Sequence, residues 1–300
     1  MVKLASAPVF SLTAVIAFSA ALAVSAGMAS ATIAASPLPT VRQVDAYVEI
    51  GMKDLHVPGA AVALFSQGKV TDVRGLGHAQ EGAPVTPQTP FQLGSVSKSF
   101  TALIVLQLAD EGLLSLDDPI SKHLPSFRTR DKAGSDLITI RHLLNHRSGL
   151  STLDGNRSQS TTYRGPDAMG RASARLSSAT LQSTAGKQFA YSNANYTLLA
   201  HLIETVDRRS FEEAVEARIF SRLGMRNSFV QTPKPGSSRP AVGHTQWFGH
   251  TVERDFVAGR MMAGPGGVTR LARSRGAVAD QLARLIAWHT GAECGRDGPG

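Results

Sequence analysis

Ser95 and Lys98 stand three positions apart at the head of a long apolar run, Ser95-Val-Ser-Lys-Ser-Phe-Thr-Ala-Leu-Ile-Val-Leu-Gln-Leu. On a helix this spacing puts the lysine one turn after the serine on the same face, within side-chain reach. A serine hydroxyl is a weak nucleophile until a nearby base removes its proton. The flanking apolar residues would bury Lys98 and depress its pKa, making a neutral amine available as that base. The first-turn N–H groups and the helix dipole lie beside Ser95, where they favour the negative charge of a tetrahedral intermediate. Acyl transfer needs a nucleophile, a base and an anion site, and one short stretch offers all three. The same spacing also suits an N-capping serine and an ordinary surface lysine, so context has to decide.

Other groupings of reactive residues carry less. His142 and His146 have the four-residue spacing of zinc ligands, but no Glu follows His142 and no third ligand is evident, so structural roles are expected. Gly149-Leu-Ser-Thr-Leu is one glycine short of a nucleophile elbow. Gly75-Leu-Gly77 lacks the third glycine of a dinucleotide fingerprint and does not open a helix. Asp117-Asp118 reads as a capping turn rather than an acid pair. The single cysteine, Cys294, excludes an intramolecular disulfide, a Cys-rich zinc site and an iron–sulfur cluster. Chemistry at Ser95 requires no metal or cofactor.

These residues need a scaffold, and the composition allows one. Over 300 residues, 42% are hydrophobic and 18% charged, which supports a substantial core. The formal charge of +8 would suit an anionic partner, yet the basic residues are scattered and not interleaved with aromatics, so nucleic-acid binding is not expected. Apolar spacing at Val44, Tyr47 and Val48 predicts a helix over Val41 to His56. Ala60–Phe65 and Lys69–Arg74 flank Gln67-Gly68 as a hairpin. Pro84, Pro87 and Pro90 mark a loop that delivers Phe91-Gln-Leu-Gly94 to Ser95. The run from Ser95 is apolar nearly all round, which predicts a buried helix stopped by Gly112. Ile138–Asn145 reads as a short helix. Ser151–Lys187, rich in Ser, Thr, Gly and Arg, reads as irregular with one helix at most. Tyr196–Val206 and Phe211–Phe220 are helical patterns, and Thr232–Gly243 is a loop.

The segment Phe91-Gln-Leu-Gly-Ser-Val-Ser-Lys-Ser-Phe100, followed by Glu111-Gly-Leu-Leu-Ser-Leu-Asp-Asp-Pro119, resembles the serine β-lactamase and penicillin-binding protein superfamily. The similarity is to its class C-type β-lactamase and D-aminopeptidase/esterase branch. Ile138-Thr-Ile-Arg-His-Leu-Leu-Asn-His-Arg-Ser-Gly-Leu150 is similar to that group's helix-and-turn signature. Tyr191-Ser192-Asn193 matches its Tyr-x-Asn motif, and Phe220-Ser-Arg-Leu-Gly-Met225 resembles the stretch that follows. These stretches occur in the family's order between Val57 and Met225.

The resemblance implies roles. Ser95 is the acylated nucleophile, Lys98 and Tyr191 share its proton, and Asn193 hydrogen-bonds substrate or holds Lys98. The Ser95 N–H is half of an oxyanion hole. It implies an α/β (α+β) fold of β-lactamase/transpeptidase type over residues 37–300, an antiparallel sheet flanked by helices with a helical subdomain inserted at about 115–235. The expected function is an exported serine hydrolase forming an acyl-enzyme on an amide, ester or β-lactam carbonyl. Its partner is a small-molecule or peptide substrate, such as a peptidoglycan-type peptide. The alternative is a weak or inactive homologue that keeps a ligand-binding cleft.

Both ends carry separate expectations. Lys3, the uncharged apolar run Val9–Ala26 and Ala29-Ser30-Ala31 have the order of a secretory signal over residues 1–31. The same run, left uncleaved, could just span a bilayer as an anchor. The family's third motif, Lys-Thr-Gly or His-x-Gly on an edge strand, normally lies more than a hundred residues past Tyr-x-Asn. The sequence contains no Lys-Thr-Gly, and its one His-x-Gly, His289-Thr-Gly291, ends a helical pattern. His244 and His250 lack the following glycine. Met262-Ala-Gly-Pro-Gly-Gly-Val268 resembles the family's Gly-Gly turn before a helix. About half of residues 264–300 are Gly, Ala or Arg, as in a frame-shifted reading of GC-rich DNA. The expectation is therefore a chain short of the family's later strands, leaving the hairpin with an unpaired edge and an uncovered face.

Overall fold

The computed structural model describes residues 40–66, 69–159, 165–226, 228–230, 239–254 and 268–271. The signal segment and His289 lie outside them.

Helix α1 (Val41–Asp54) opens on a capping box in which Thr40 Oγ1 accepts from the Gln43 N–H while the Gln43 side chain accepts from the Thr40 N–H. Such caps stabilise by about 1 kcal/mol. Strands β1 (Gly59–Ser66) and β2 (Lys69–Gln80) form the expected antiparallel hairpin, with β2 running on to pair with the short β3 (Ala83–Pro84). The order β1-β2-β3 leaves β1 outermost, and no residue of β1 is fully buried. Arg74 reaches from β2 to Asp45 of α1 at 2.6 Å, tying the first helix to the hairpin.

The proline loop ends in β4 (Pro90–Gln92). Gly94 then turns the chain with φ +53°, a left-handed conformation that costs glycine little. Here the sequence expectation is refined. Ser95 sits in a 3-10 turn (Gly94–Val96), and the α-helix proper, α2, runs from Ser97 to Asp110. Gly112, at φ +73°, follows its end as expected.

Between Ile120 and Phe220 the regular elements among the described residues are helices, joined by turns and irregular segments, with one isolated bridge between Pro119 and Thr139. The helices are α3 (Ile120–His123), α4 (Lys132–Asp136), α5 (Ile140–Leu144), α6 (Thr152–Gln159), α7 (Ala168–Ala174), α8 (Asn193–Asp207) and α9 (Phe211–Val215). A π-turn over Glu216–Phe220 follows α9. Two of these correct the reading of Ser151–Lys187 as largely irregular. The low-propensity residues there serve packing. A side chain at Gly155 would meet the Asn193 N at 2.6 Å, so α6 approaches the start of α8 through a glycine. Helix α7 buries Ala168, Met169, Ala172 and Ser173, and it packs against α8. Tertiary packing thus overrides weak local preference.

The core is built on α2 and α8. Ile104, Val105 and Leu108 of α2 and Leu198, Leu199, Leu202 and Ile203 of α8 are fully buried, together with Phe127, Phe211 and Phe220. At the far ends of the two helices, buried Arg218 donates to Glu111 at 2.7 and 3.0 Å and to Asp207 at 2.7 and 3.0 Å. This clamp fixes the ends of α2 and α8 relative to each other.

Strands β5 (Phe229–Val230), β6 (Gly243–Trp247), β7 (His250–Arg254) and β8 (Val268–Leu271) complete the described elements. β8 is an element that the sequence reading did not single out: residues 268–271, at the end of the Gly-Gly stretch, form a strand antiparallel to both β4 and β5. The β-branched Val268 and Thr269 favour extended backbone. Every strand pair among the described residues is antiparallel, and together with the helices this gives the α+β architecture expected.

Candidate active site

Four side chains from two stretches of the chain meet at one point. Ser95 comes from the 3-10 turn after β4, Lys98 from the first turn of α2, Tyr191 from the extended segment before α8, and Asn193 from the first position of α8. Ser95 Oγ lies 2.7 Å from Tyr191 Oη, a hydrogen bond in which either oxygen can donate. Lys98 Nζ donates to Ser95 Oγ at 3.2 Å and to Asn193 Oδ1 at 2.8 Å. The amine also stands 4.8 Å from the centre of the Tyr191 ring and 5.6 Å from that of Tyr196.

Exposure divides the four usefully. Ser95 and Tyr191 are open to solvent, whereas Lys98 is only 7% exposed. Burial disfavours the ammonium form and pulls the lysine down to about 7. Near neutrality the site therefore holds a substantial population of free amine one hydrogen bond from a solvent-facing hydroxyl. The lone pair on Nζ can receive the Ser95 proton. The turn at Gly94–Val96 runs directly into α2, so the Ser95 N–H stands at the positive end of that helix.

The segment bearing Tyr191 is held from behind. Thr152 Oγ1 donates to the Tyr191 carbonyl at 2.6 Å, and Ser192 Oγ donates to the Ser151 carbonyl at 2.7 Å. His146, in a left-handed turn at φ +56°, accepts from the Ser192 N–H at its Nδ1 (3.2 Å). Because a backbone N–H can only donate, Nδ1 is unprotonated and the neutral ring carries its proton on Nε2. Burial, reinforced by the nearby Lys98 charge, pushes His146 down to about 4. Sequence reading expected a structural role for His146 over zinc ligation but did not say which. The signal that sets it apart is its place in a tight turn ahead of Ser148-Gly149. Its partner by spacing, His142, does something else: its Nδ1 accepts from the Thr139 N–H at 3.3 Å, capping α5.

The remaining candidates are accounted for. Asp118 accepts from Ser115 N, Lys122 and His123, and Asp117 pairs with Arg141, so this acid pair organises a turn as expected. His244 lies opposite Glu253 and His250 opposite Trp247 in the β6–β7 hairpin.

A family model described as Beta-lactamase matches residues 44–294. Protein flp of Staphylococcus aureus (strain MW2) is 30% identical over 212 residues, covering 68% of this chain and 41% of its own length. Penicillin-binding protein 4 of Amycolatopsis lactamdurans is 33% identical over 193 residues, covering 63% of this chain and 49% of its own. The octameric penicillin-binding protein homologue from Pyrococcus abyssi superposes with a TM-score of 0.68 at 26% identity, over 84% of this chain and 57% of that one. The chain thus spans half or less of the length of these two curated relatives.

Proposed function

The chain belongs to the beta-lactamase family of serine hydrolases, and from that premise we propose that it acylates itself at Ser95 with an amide, ester or β-lactam carbonyl. Ser95 Oγ attacks the carbonyl carbon while its proton passes to the free amine of Lys98. The oxygen of the tetrahedral intermediate takes the negative charge beside the Ser95 N–H and the start of α2. As the intermediate collapses, the bond to the leaving nitrogen or oxygen breaks, and Tyr191 Oη hands that atom a proton that Lys98 replaces. Water then repeats the sequence on the acyl-enzyme, releasing the acid and restoring Ser95. Asn193 keeps Lys98 in place. The substrate is a small molecule or peptide, and the apolar N-terminal run with Ala29-Ser30-Ala31 supports action outside the cytoplasm.

The observation that carries this reading is a buried amine, lowered to about 7, within 3.2 Å of an exposed serine hydroxyl that also meets a tyrosine hydroxyl at 2.7 Å. Treatment with a fluorophosphonate or a labelled penicillin should add one adduct to the peptide containing Ser95. Labelling that persists in Ser95→Ala would overturn it.

A second reading has its own support. The only His-x-Gly in the sequence is His289-Thr-Gly291 and there is no Lys-Thr-Gly, so the triplet that the resemblance ties to the second oxyanion donor rests on His289 alone. On this reading it acylates but turns over weakly.

A further inference from the structure

We propose that His146 is the positioning residue that sets Tyr191 against Ser95, by bracketing Tyr191 with two hydrogen bonds that its neutral imidazole and its backbone carbonyl accept. The inference rests on the acyl-transfer reading above for its activity readout, and on geometry for the rest.

The bracket is explicit. The residue before Tyr191 donates its N–H to the His146 carbonyl (Ala190 N, 2.8 Å), and the residue after it donates to the His146 ring (Ser192 N, 3.2 Å). One residue therefore fixes the backbone on both sides of Tyr191. The imidazole also packs on the Tyr191 ring at 4.5 Å between centroids, and on Tyr196 at 5.2 Å, limiting where the phenol can tilt. Asn195 Nδ2 lies 3.1 Å from the same Nδ1, while its Oδ1 accepts from Ser148 Oγ at 2.6 Å. Two donors thus converge on Nδ1, and a proton placed there would face both. The depressed pKa follows from this burial and keeps the acceptor available across neutral pH.

The bracket reaches further than Tyr191. Ser192 leads directly into Asn193, whose Oδ1 holds Lys98 Nζ. Locking the Ser192 N–H therefore fixes two of the three groups around Ser95. The left-handed backbone at residue 146 lets one residue present both its carbonyl and its ring to the same extended segment, 190–192. Histidine and asparagine are among the few side chains enriched in that conformation.

Two substitutions separate positioning from packing. His146→Asn keeps an acceptor near the Nδ1 position and suits the left-handed backbone, but leaves space where the ring was. His146→Phe keeps the ring volume and removes the acceptor. Positioning predicts that Phe lowers the acylation rate roughly 10²-fold, the scale of a small misplacement of catalytic groups, with probe binding unchanged. Asn should stay within a few-fold of wild type even where its Tm is the lower of the two. Amide exchange at Ser192 is read alongside, in the full chain. It should be slow in wild type and His146→Asn and fast in His146→Phe. If acylation follows side-chain volume, with Asn the worse, His146 merely fills space and the proposal falls. If Ser192 exchange is equal in all three, the proposal also falls. If wild type takes no Ser95 label while the exchange order holds, the acyl-transfer reading fails and the positioning stands.

Discussion

Lys98 Nζ is held more tightly by Asn193 Oδ1, at 2.8 Å, than by Ser95 Oγ, at 3.2 Å. The base is thus anchored across the junction of α2 and α8 and leans towards the nucleophile from that anchor. A neutral amide suits this task because it accepts from the amine without adding charge.

Asn193→Asp should therefore be more harmful than its size suggests. A carboxylate within hydrogen-bond distance favours the ammonium form and raises the pKa of Lys98 above about 7. The pH midpoint for acylation should move upward, with the rate at neutral pH falling while the high-pH plateau survives. An unmoved midpoint would show that Asn193 does not set the state of the amine.

Lys98 itself trades stability for reactivity. In the fold its amine is neutral above about pH 7, whereas in the unfolded chain it stays charged to about pH 10. The unfolded chain binds more protons in that window, so stability should rise with pH across it. Lys98→Met should remove this slope, stabilise the protein at neutral pH by on the order of a few kcal/mol, and slow acylation by roughly 10²-fold or more. Urea melts at pH 7 and pH 9 of both proteins check it.

Arg218→Ala should destabilise without touching the site. The guanidinium is buried with Asp207, whose carboxyl it holds below the usual range. Removing one partner of such a pair costs about 3–5 kcal/mol. A depressed carboxyl contributes stability above its unfolded pKa and loses it as pH falls through the folded one, so the wild-type advantage over Arg218→Ala should shrink below about pH 4. Thermal melts from pH 7 to pH 3 measure this.

Turnover should be weaker than acylation. Losing one oxyanion donor costs about 10²–10³ in rate. We expect a labelled Ser95 but slow steady-state hydrolysis of nitrocefin and p-nitrophenyl esters by the 300-residue chain. Full activity would mean that the donor strand lies within these residues, and His289→Ala would be the first variant to make.

Export is tested at the N-terminus. Protein from the native host should begin near Thr32. An intact Met1 in the membrane fraction would show that the apolar run is an anchor.

Much of the site is readable in the chain. Ser95 and Lys98 announce themselves by spacing inside an apolar helix, and Tyr191 and Asn193 by resemblance. Helices α1 and α8 follow from their apolar patterns, α2 from a nearly all-apolar run closed by Gly112, and the first hairpin from two runs around Gln67-Gly68. Helices α6 and α7 do not, because each is short and carries an internal glycine, Gly155 and Gly170, that weakens the local signal, and Gly155 serves close contact with the start of α8 rather than helix preference. His146 escapes for a related reason: the spacing to His142 suggests one shared role, but the left-handed turn gives each ring a different neighbour. β8 is four residues long, and only its partners, far away in the chain, make it a strand.

That strand has a consequence for when the protein becomes reactive. Helical contacts between near neighbours form quickly, whereas pairing of distant segments must wait for loop closure. Residues 90–92, which carry the chain to Ser95, pair with residues 269–271. During synthesis the helical core can condense early, but the strand that aims the nucleophile acquires its partner only after residues 268–271 have been made. The short strand that leads into the Ser95 turn is thus braced by a partner made more than 170 residues later, so the approach to the nucleophile is among the last parts of the site to be fixed.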